Sequence, residues 1–131
     1  MRLLIFAAVS ALAFAGAANA VPREKGEAEL AKLLQGRVAG PPTGCIRTFS
    51  NNDMKKIEGT ALVFGRGDTI YVNRTTDPAS IDEDDALFIR KMGTGSELCR
   101  TDIITTFDPT AHFYTGNVFL TEFVPYRRIR R

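Results

Sequence analysis

Thr60-Ala61-Leu62-Val63-Phe64-Gly65-Arg66-Gly67-Asp68-Thr69-Ile70-Tyr71-Val72-Asn73 sets two apolar, β-branched runs on either side of a glycine-rich centre. Glycine supplies the positive φ that tight hairpin turns require. The spacing predicts a hairpin centred on Arg66-Gly67, with Phe64 opposite Thr69, Val63 opposite Ile70 and Ala61 opposite Val72. The same period-two texture recurs to both sides. Residues 86–91 and 102–107 read as further strands, and residues 45–49 as the first. Residues 117–126 read as the last strand, with Phe119 and Phe123 on one face and Val118, Leu120 and Val124 on the other. Turns rich in Gly, Pro, Asp and Thr separate these segments. Short strands at such intervals imply a mainly β chain: a single antiparallel β-sandwich or small barrel.

Upstream of the strands the periodicity changes. Ala28, Leu30, Ala31, Leu33 and Leu34 fall at helical spacing within residues 24–35. Gly36 and then Gly40-Pro41-Pro42 stop the pattern. A helix this short persists only if it docks. Residues 37–44 read as a turn-rich linker. The first twenty residues carry Arg2, an apolar run over 3–15 interrupted only by Ser10, and the small-residue site Ala18-Asn19-Ala20. These are the three parts of a secretory signal peptide. The run is too short, and too broken by Gly16 and Asn19, to span a membrane. The expected division is residues 1–20 as signal peptide, 21–44 as short helix and linker, and 45–131 as the antiparallel β domain with a basic tail. Removal of the signal peptide at about Ala20 gives a periplasmic or secreted chain with no transmembrane segment.

All 15 acidic residues follow position 20, and of the 17 basic residues only Arg2 precedes it. The exported part is therefore nearly balanced in charge, which gives no argument for nucleic-acid binding. Its two cysteines, Cys45 and Cys99, suggest one disulfide. Two thiols without a CxxC pair or a neighbouring histidine make a poor zinc site.

Four stretches invite a chemical reading. Asp82-Glu83-Asp84-Asp85 puts four acids in a row, but a calcium loop needs oxygen ligands at positions 1, 3 and 5, then glycine at 6. Counted from Asp82, position 5 is Ala86 and position 6 is Leu87; counted from Asp84, position 3 is already Ala86. A solvated turn is expected, its acids guarding the apolar strand that follows. Arg66-Gly67-Asp68 matches an adhesion tripeptide, yet Gly and Asp are also what a tight turn prefers. His112 is the single histidine. A hydrolase would have to use it, with Asp102 or Asp108, but no GxSxG elbow accompanies it, so it is expected in a surface turn. No catalytic, cofactor-binding or metal-ligating residue is assigned, and no cofactor is expected. Finally Arg127, Arg128, Arg130 and Arg131 end the chain and offer contact to an anionic surface. Asn73-Arg74-Thr75 also fits a glycosylation sequon.

A wider pattern runs through the chain. It comprises Leu33-Leu34-Gln35-Gly36-Arg37-Val38-Ala39-Gly40-Pro41-Pro42, Cys45-Ile46, Gly59-Thr60-Ala61-Leu62-Val63 and Thr69-Ile70-Tyr71-Val72-Asn73-Arg74. Asp84-Asp85, Leu98-Cys99 and Phe123-Val124-Pro125-Tyr126-Arg127 complete it. It resembles a group of small exported bacterial proteins with no assigned activity. The resemblance covers nearly the whole chain beyond residue 20. It implies an exported address and a single domain, and it transfers no site residue. The leading functional expectation is a non-enzymatic binding or envelope-associated protein, its partner an anionic envelope surface or a periplasmic protein. An exported inhibitor that offers a loop to an enzyme is the alternative, ahead of a small hydrolase using His112.

Overall fold

The computed structural model describes residues 20–48, 53–93 and 95–130. The region read as signal peptide, but for Ala20, lies outside these residues, as do Phe49 and Arg131. In chain order the elements are helix α1 (Ala20–Leu34), β1 (Arg37–Ala39), β2 (Cys45–Arg47), β3 (Met54–Ile57), β4 (Ala61–Phe64) and β5 (Thr69–Asn73). A 3₁₀ turn (Pro78–Ser80), β6 (Ala86–Arg90), β7 (Glu97–Cys99), β8 (Ile103–Asp108), β9 (Phe113–Phe119) and β10 (Val124–Arg128) follow. All strand pairs are antiparallel.

The strand Ala61-Leu62-Val63-Phe64 explains the architecture. All four residues are buried, so neither face of β4 meets water. Ala61 and Val63 belong to a cluster with Leu30, Ile57, Ile70 and Val72, on which Leu33, Leu34 and Tyr126 pack. Leu62 and Phe64 belong to the opposite cluster, with Ile46, Ile81, Leu98, Ile104, Val118, Leu120 and Phe123. Alternate side chains of one strand thus feed two cores. Helix α1 covers one face of a five-stranded sheet ordered β1-β10-β5-β4-β3, and two smaller sheets, β2-β7 and β6-β8-β9, cover the other. The result is the expected mainly β chain with a short N-terminal helix and one disulfide. The packing is sandwich-like, and among the described residues no barrel closes.

The helix docks closely because residue 26 is glycine. A Cβ there would lie 2.0 Å from Thr60 Oγ1 and 2.7 Å from the Glu58 carbonyl oxygen. Ion pairs fasten its flanks: Glu27 to Arg74 and Glu29 to Lys55, each at 2.6 Å. The helix stops at Gly36, whose φ of 69° is the left-handed turn that glycine adopts freely.

The hairpin has the expected strands but a different register. Phe64 pairs with Tyr71 and Val63 with Val72, two residues further along β5 than the expected pairs. At the turn the Gly65 N–H donates to the Asp53 carbonyl instead of closing the hairpin, and Thr69 and Ile70 pair only on the other edge of β5, with Arg127 and Tyr126 of β10. The loop is therefore wide, with Gly65 and Gly67 both at positive φ. A slip of two preserves which side chains face which core.

Two further expectations are corrected. Residues 117–126 are not one strand: β9 ends at Phe119 and β10 begins at Val124, in a different sheet. Phe119 is consequently half exposed while Phe123 is fully buried, its ring edge-on to Phe64 at 5.6 Å. And β1 lies within the segment read as a linker. The crossing between β9 and β10 is anchored by Asn73, which is completely buried. Its Nδ2 donates to Thr121 O, and its Oδ1 accepts from the N–H groups of Thr75 and Thr121.

Cys45 and Cys99 face each other across β2 and β7 and are bonded, Sγ–Sγ 2.02 Å. They stand 54 positions apart in sequence, and closing this loop removes about 4 kcal/mol of unfolded-state entropy in the chain-entropy account. Among the described residues no helix is long and apolar enough to cross a membrane.

Candidate functional site

The arginine-rich end is part of the sheet. Arg127 and Arg128 belong to β10, an inner strand held between β1 and β5. Beyond it the Ile129 N–H donates to Gly36 O at 2.9 Å, and Arg130 pairs with Asp68 at 2.7 Å. The carbonyls of Gly67 and Asp68 gather the other guanidinium groups. Arg37 donates to both, at 2.8 and 2.9 Å, and Arg128 Nε donates to Gly67 O at 3.3 Å. The Arg130 hydrogen bond, reinforced by its charge and those of Arg128 and Arg37, holds the Asp68 carboxyl below its usual range. Desolvation, and then the neighbouring Arg128 charge, pull the Arg37 pKa down. Arg37, Arg128 and Arg130 gather round one acid, Asp68, and Arg127 adds a further positive charge beside Val38, so this end is cationic.

An apolar groove runs beside these charges. Val38, Gly40, Pro41, Pro125, Arg127 and Ile129 line about 470 Å³ between the start of the sheet and the end of the chain. Val38 and Ile129 are 56% and 60% exposed. Local sequence builds the groove. Pro125 is tolerated in an inner strand because β1 stops at Ala39, opposite Tyr126, and the next contact on that side is Gly40 N–H donating to Pro125 O. No proline N–H is needed there.

The other sequence candidates are placed as follows. Both charged ends of Arg66-Gly67-Asp68 are paired within the chain, Arg66 to Asp53 at 2.7 Å and Asp68 to Arg130. In the acidic turn Asp82 Oδ1 accepts from the Asp84 N–H at 2.8 Å and Asp85 accepts from Thr115 Oγ1. Lys56 Nζ donates to the Glu83 and Asp85 carbonyls. His112 lies in an exposed turn at φ 58°, its Nδ1 3.1 Å from Thr110 O and its ring against Phe107. Neither aspartate considered with it is directed to the imidazole. Asp102 is buried and accepts from the N–H groups of Met92 and Cys99, and Asp108 accepts from those of Thr110 and Ala111. Asn73 of the sequon is spent inside the fold. Among the described residues, Cys45, Glu97 and Cys99 could together approach an ion, but the disulfide consumes both sulfurs.

One surface escaped the sequence reading. The β6-β8-β9 sheet turns Leu87, Ile104, Thr106 and Val118 toward the core. Its other face shows three transverse rows: Arg90–Ile103–Phe119, Phe88–Thr105–Asn117 and Ala86–Phe107–Tyr114. Phe88, Phe119 and Tyr114 are 60%, 51% and 57% exposed, and Phe88 stands edge-on to Phe107 at 5.9 Å. The rings are visible in the sequence, but the extra residue at Thr115, where the β8–β9 register shifts, hides their common face from simple alternation. Comparison of the chain with protein-family models, with curated proteins and with solved structures gave no match.

Proposed function

We propose that the chain is an exported, non-enzymatic envelope-associated protein, akin to the small exported bacterial proteins it resembles, and that its cationic groove meets an anionic surface. The observation that carries this reading is the juxtaposition of exposed Val38 and Ile129 with Arg127 and its neighbouring arginines. Apolar side chains can enter the boundary of a lipid layer while guanidinium groups stay with its phosphates. The disulfide suits an oxidising compartment. Each arginine near an anionic surface contributes at most about 1 kcal/mol, within a Debye length of about 8 Å at physiological salt. Association is therefore weak, reversible and sensitive to salt.

The test is co-sedimentation with vesicles containing anionic or only zwitterionic phospholipid. Removing residues after Tyr126 would strip β10 of its pairs with Arg37, Val38 and Thr69, so point substitutions are the cleaner probe. Wild-type protein should sediment with anionic vesicles at low salt and detach by about 0.5 M salt. Arg127→Glu and Ile129→Ser should each weaken this. Equal sedimentation of wild type and both variants would remove the groove from any such role.

A further inference from the structure

Among the described residues, the three-stranded sheet is covered on one face only. We infer that its outer face is closed by the same face of a second copy of this chain. Three exposed rings, each about half accessible, leave roughly 300 Å² of aromatic surface per copy. With the half-buried Ile103 and Phe107 and the polar Thr105, Asn117 and Arg90 between them, the face offers on the order of 500–600 Å². Two such faces together bury about 1,000–1,200 Å², which reaches the lower bound for a specific interface.

The rows are also self-complementary. A two-fold axis between two such sheets, parallel to β8, lays β6 of one copy over β9 of the other. Ala86 then lies over Tyr114, Phe88 over Asn117 and Arg90 over Phe119. Each of the three exposed rings meets a smaller or a complementary group, the last pair sets a guanidinium over an aromatic face, and on the axis Phe107 meets the Phe107 of the second copy. Sheets stacked this way lie about 10 Å apart, and interdigitated side chains of this size fill that gap. Stacking face to face uses side chains only, so the β6-β8-β9 ladders of both copies stay intact. An interface at this lower bound dissociates in the micromolar range or above. This inference is independent of the cationic groove, which lies on a different sheet.

Sedimentation velocity over about 1–200 μM, in lipid-free buffer, tests it. Wild type should pass from monomer to dimer across that range. Phe88→Ser and Phe119→Ser should each raise the dissociation constant about tenfold or more. Their circular dichroism and melting temperature at low concentration should match wild type, which separates lost association from lost folding. A wild type that stays monomeric throughout overturns the inference. So does a dimer whose dissociation constant is indifferent to both substitutions. A monomer that instead loses vesicle binding on Phe88→Ser would assign the face to lipid and overturn the second copy as its occupant.

Discussion

The five-stranded sheet and the three-stranded sheet are built from similar residues and treated differently. In the first, β4 is buried on both faces, because helix α1 closes one side and the smaller sheets close the other. In the second, β8 alternates between buried Ile104 and Thr106 and half-exposed Ile103, Thr105 and Phe107. Apolar content alone does not separate them. What separates them is whether another element of the same chain reaches the second face. A helix is available on the N-terminal side of the five-stranded sheet, and nothing comparable among the described residues lies outside β6, β8 and β9.

Substitutions can break or sharpen that contrast. The largest effect is expected at Phe123, at the centre of the doubly covered half. Phe123→Ala removes a fully buried ring stacked edge-on to Phe64 and should cost about 3–5 kcal/mol in urea unfolding. A cost below about 1 kcal/mol would mean the two sheets are not joined through this ring.

Next is Gly26→Ala. In an ordinary helix interior this change stabilises by about 1 kcal/mol. Here the new methyl group runs into Thr60 Oγ1 and the Glu58 carbonyl, so a loss of about 1–3 kcal/mol is expected. The sign of the change, read by thermal unfolding, decides whether α1 is truly seated on the sheet.

A smaller effect is expected from Glu27→Gln. The hydrogen bond from Arg74 lowers the Glu27 pKa below 4.5, against the opposing effect of desolvation. A depressed folded-state pKa contributes stability that is present above the unfolded value and is lost as pH falls through the folded one. The deficit of Glu27→Gln should thus be full at neutral pH, under about 1 kcal/mol for so exposed a pair, and should vanish in acid. Stability curves of the two proteins that run parallel from pH 7 to pH 3 would contradict this.

The smallest effect on stability is expected on the bare face. Phe88→Ser should change monomer stability by no more than about 0.5 kcal/mol, although the same substitution should disrupt association.

The strands that carried strong period-two or continuous apolar patterns were legible in the sequence: β4, β5, β6 and β8 match their expected positions within a residue or so. β1, β3 and β7 were not. Each has only three or four residues, and Met54-Lys55-Lys56-Ile57 offers no alternation, because its lysines are engaged by Glu29 on one side and by the acidic turn on the other. The hairpin register differs because the Gly65 N–H bonds to Asp53, ahead of β3, and not across the turn. The fusion of β9 with β10 had a similar origin, since a run of apolar residues does not announce that the chain changes sheets. The arginine cluster was visible as composition, but its partner, the Gly67-Asp68 loop, was not. Asn73 looked like a modification signal and is instead a structural bolt for the crossing.

The position of β10 has a consequence for the life of the chain before it is folded. The last strand in sequence is an inner strand of the five-stranded sheet, and β1, among the first, has only β10 as its neighbour. A nascent chain that has emerged through residue 120 can form the β3-β4-β5 meander but cannot seat β1. Those pairings span about ninety residues, and such distant contacts slow folding. Completion of the sheet therefore waits until β10 has been made, however early β1 is synthesised.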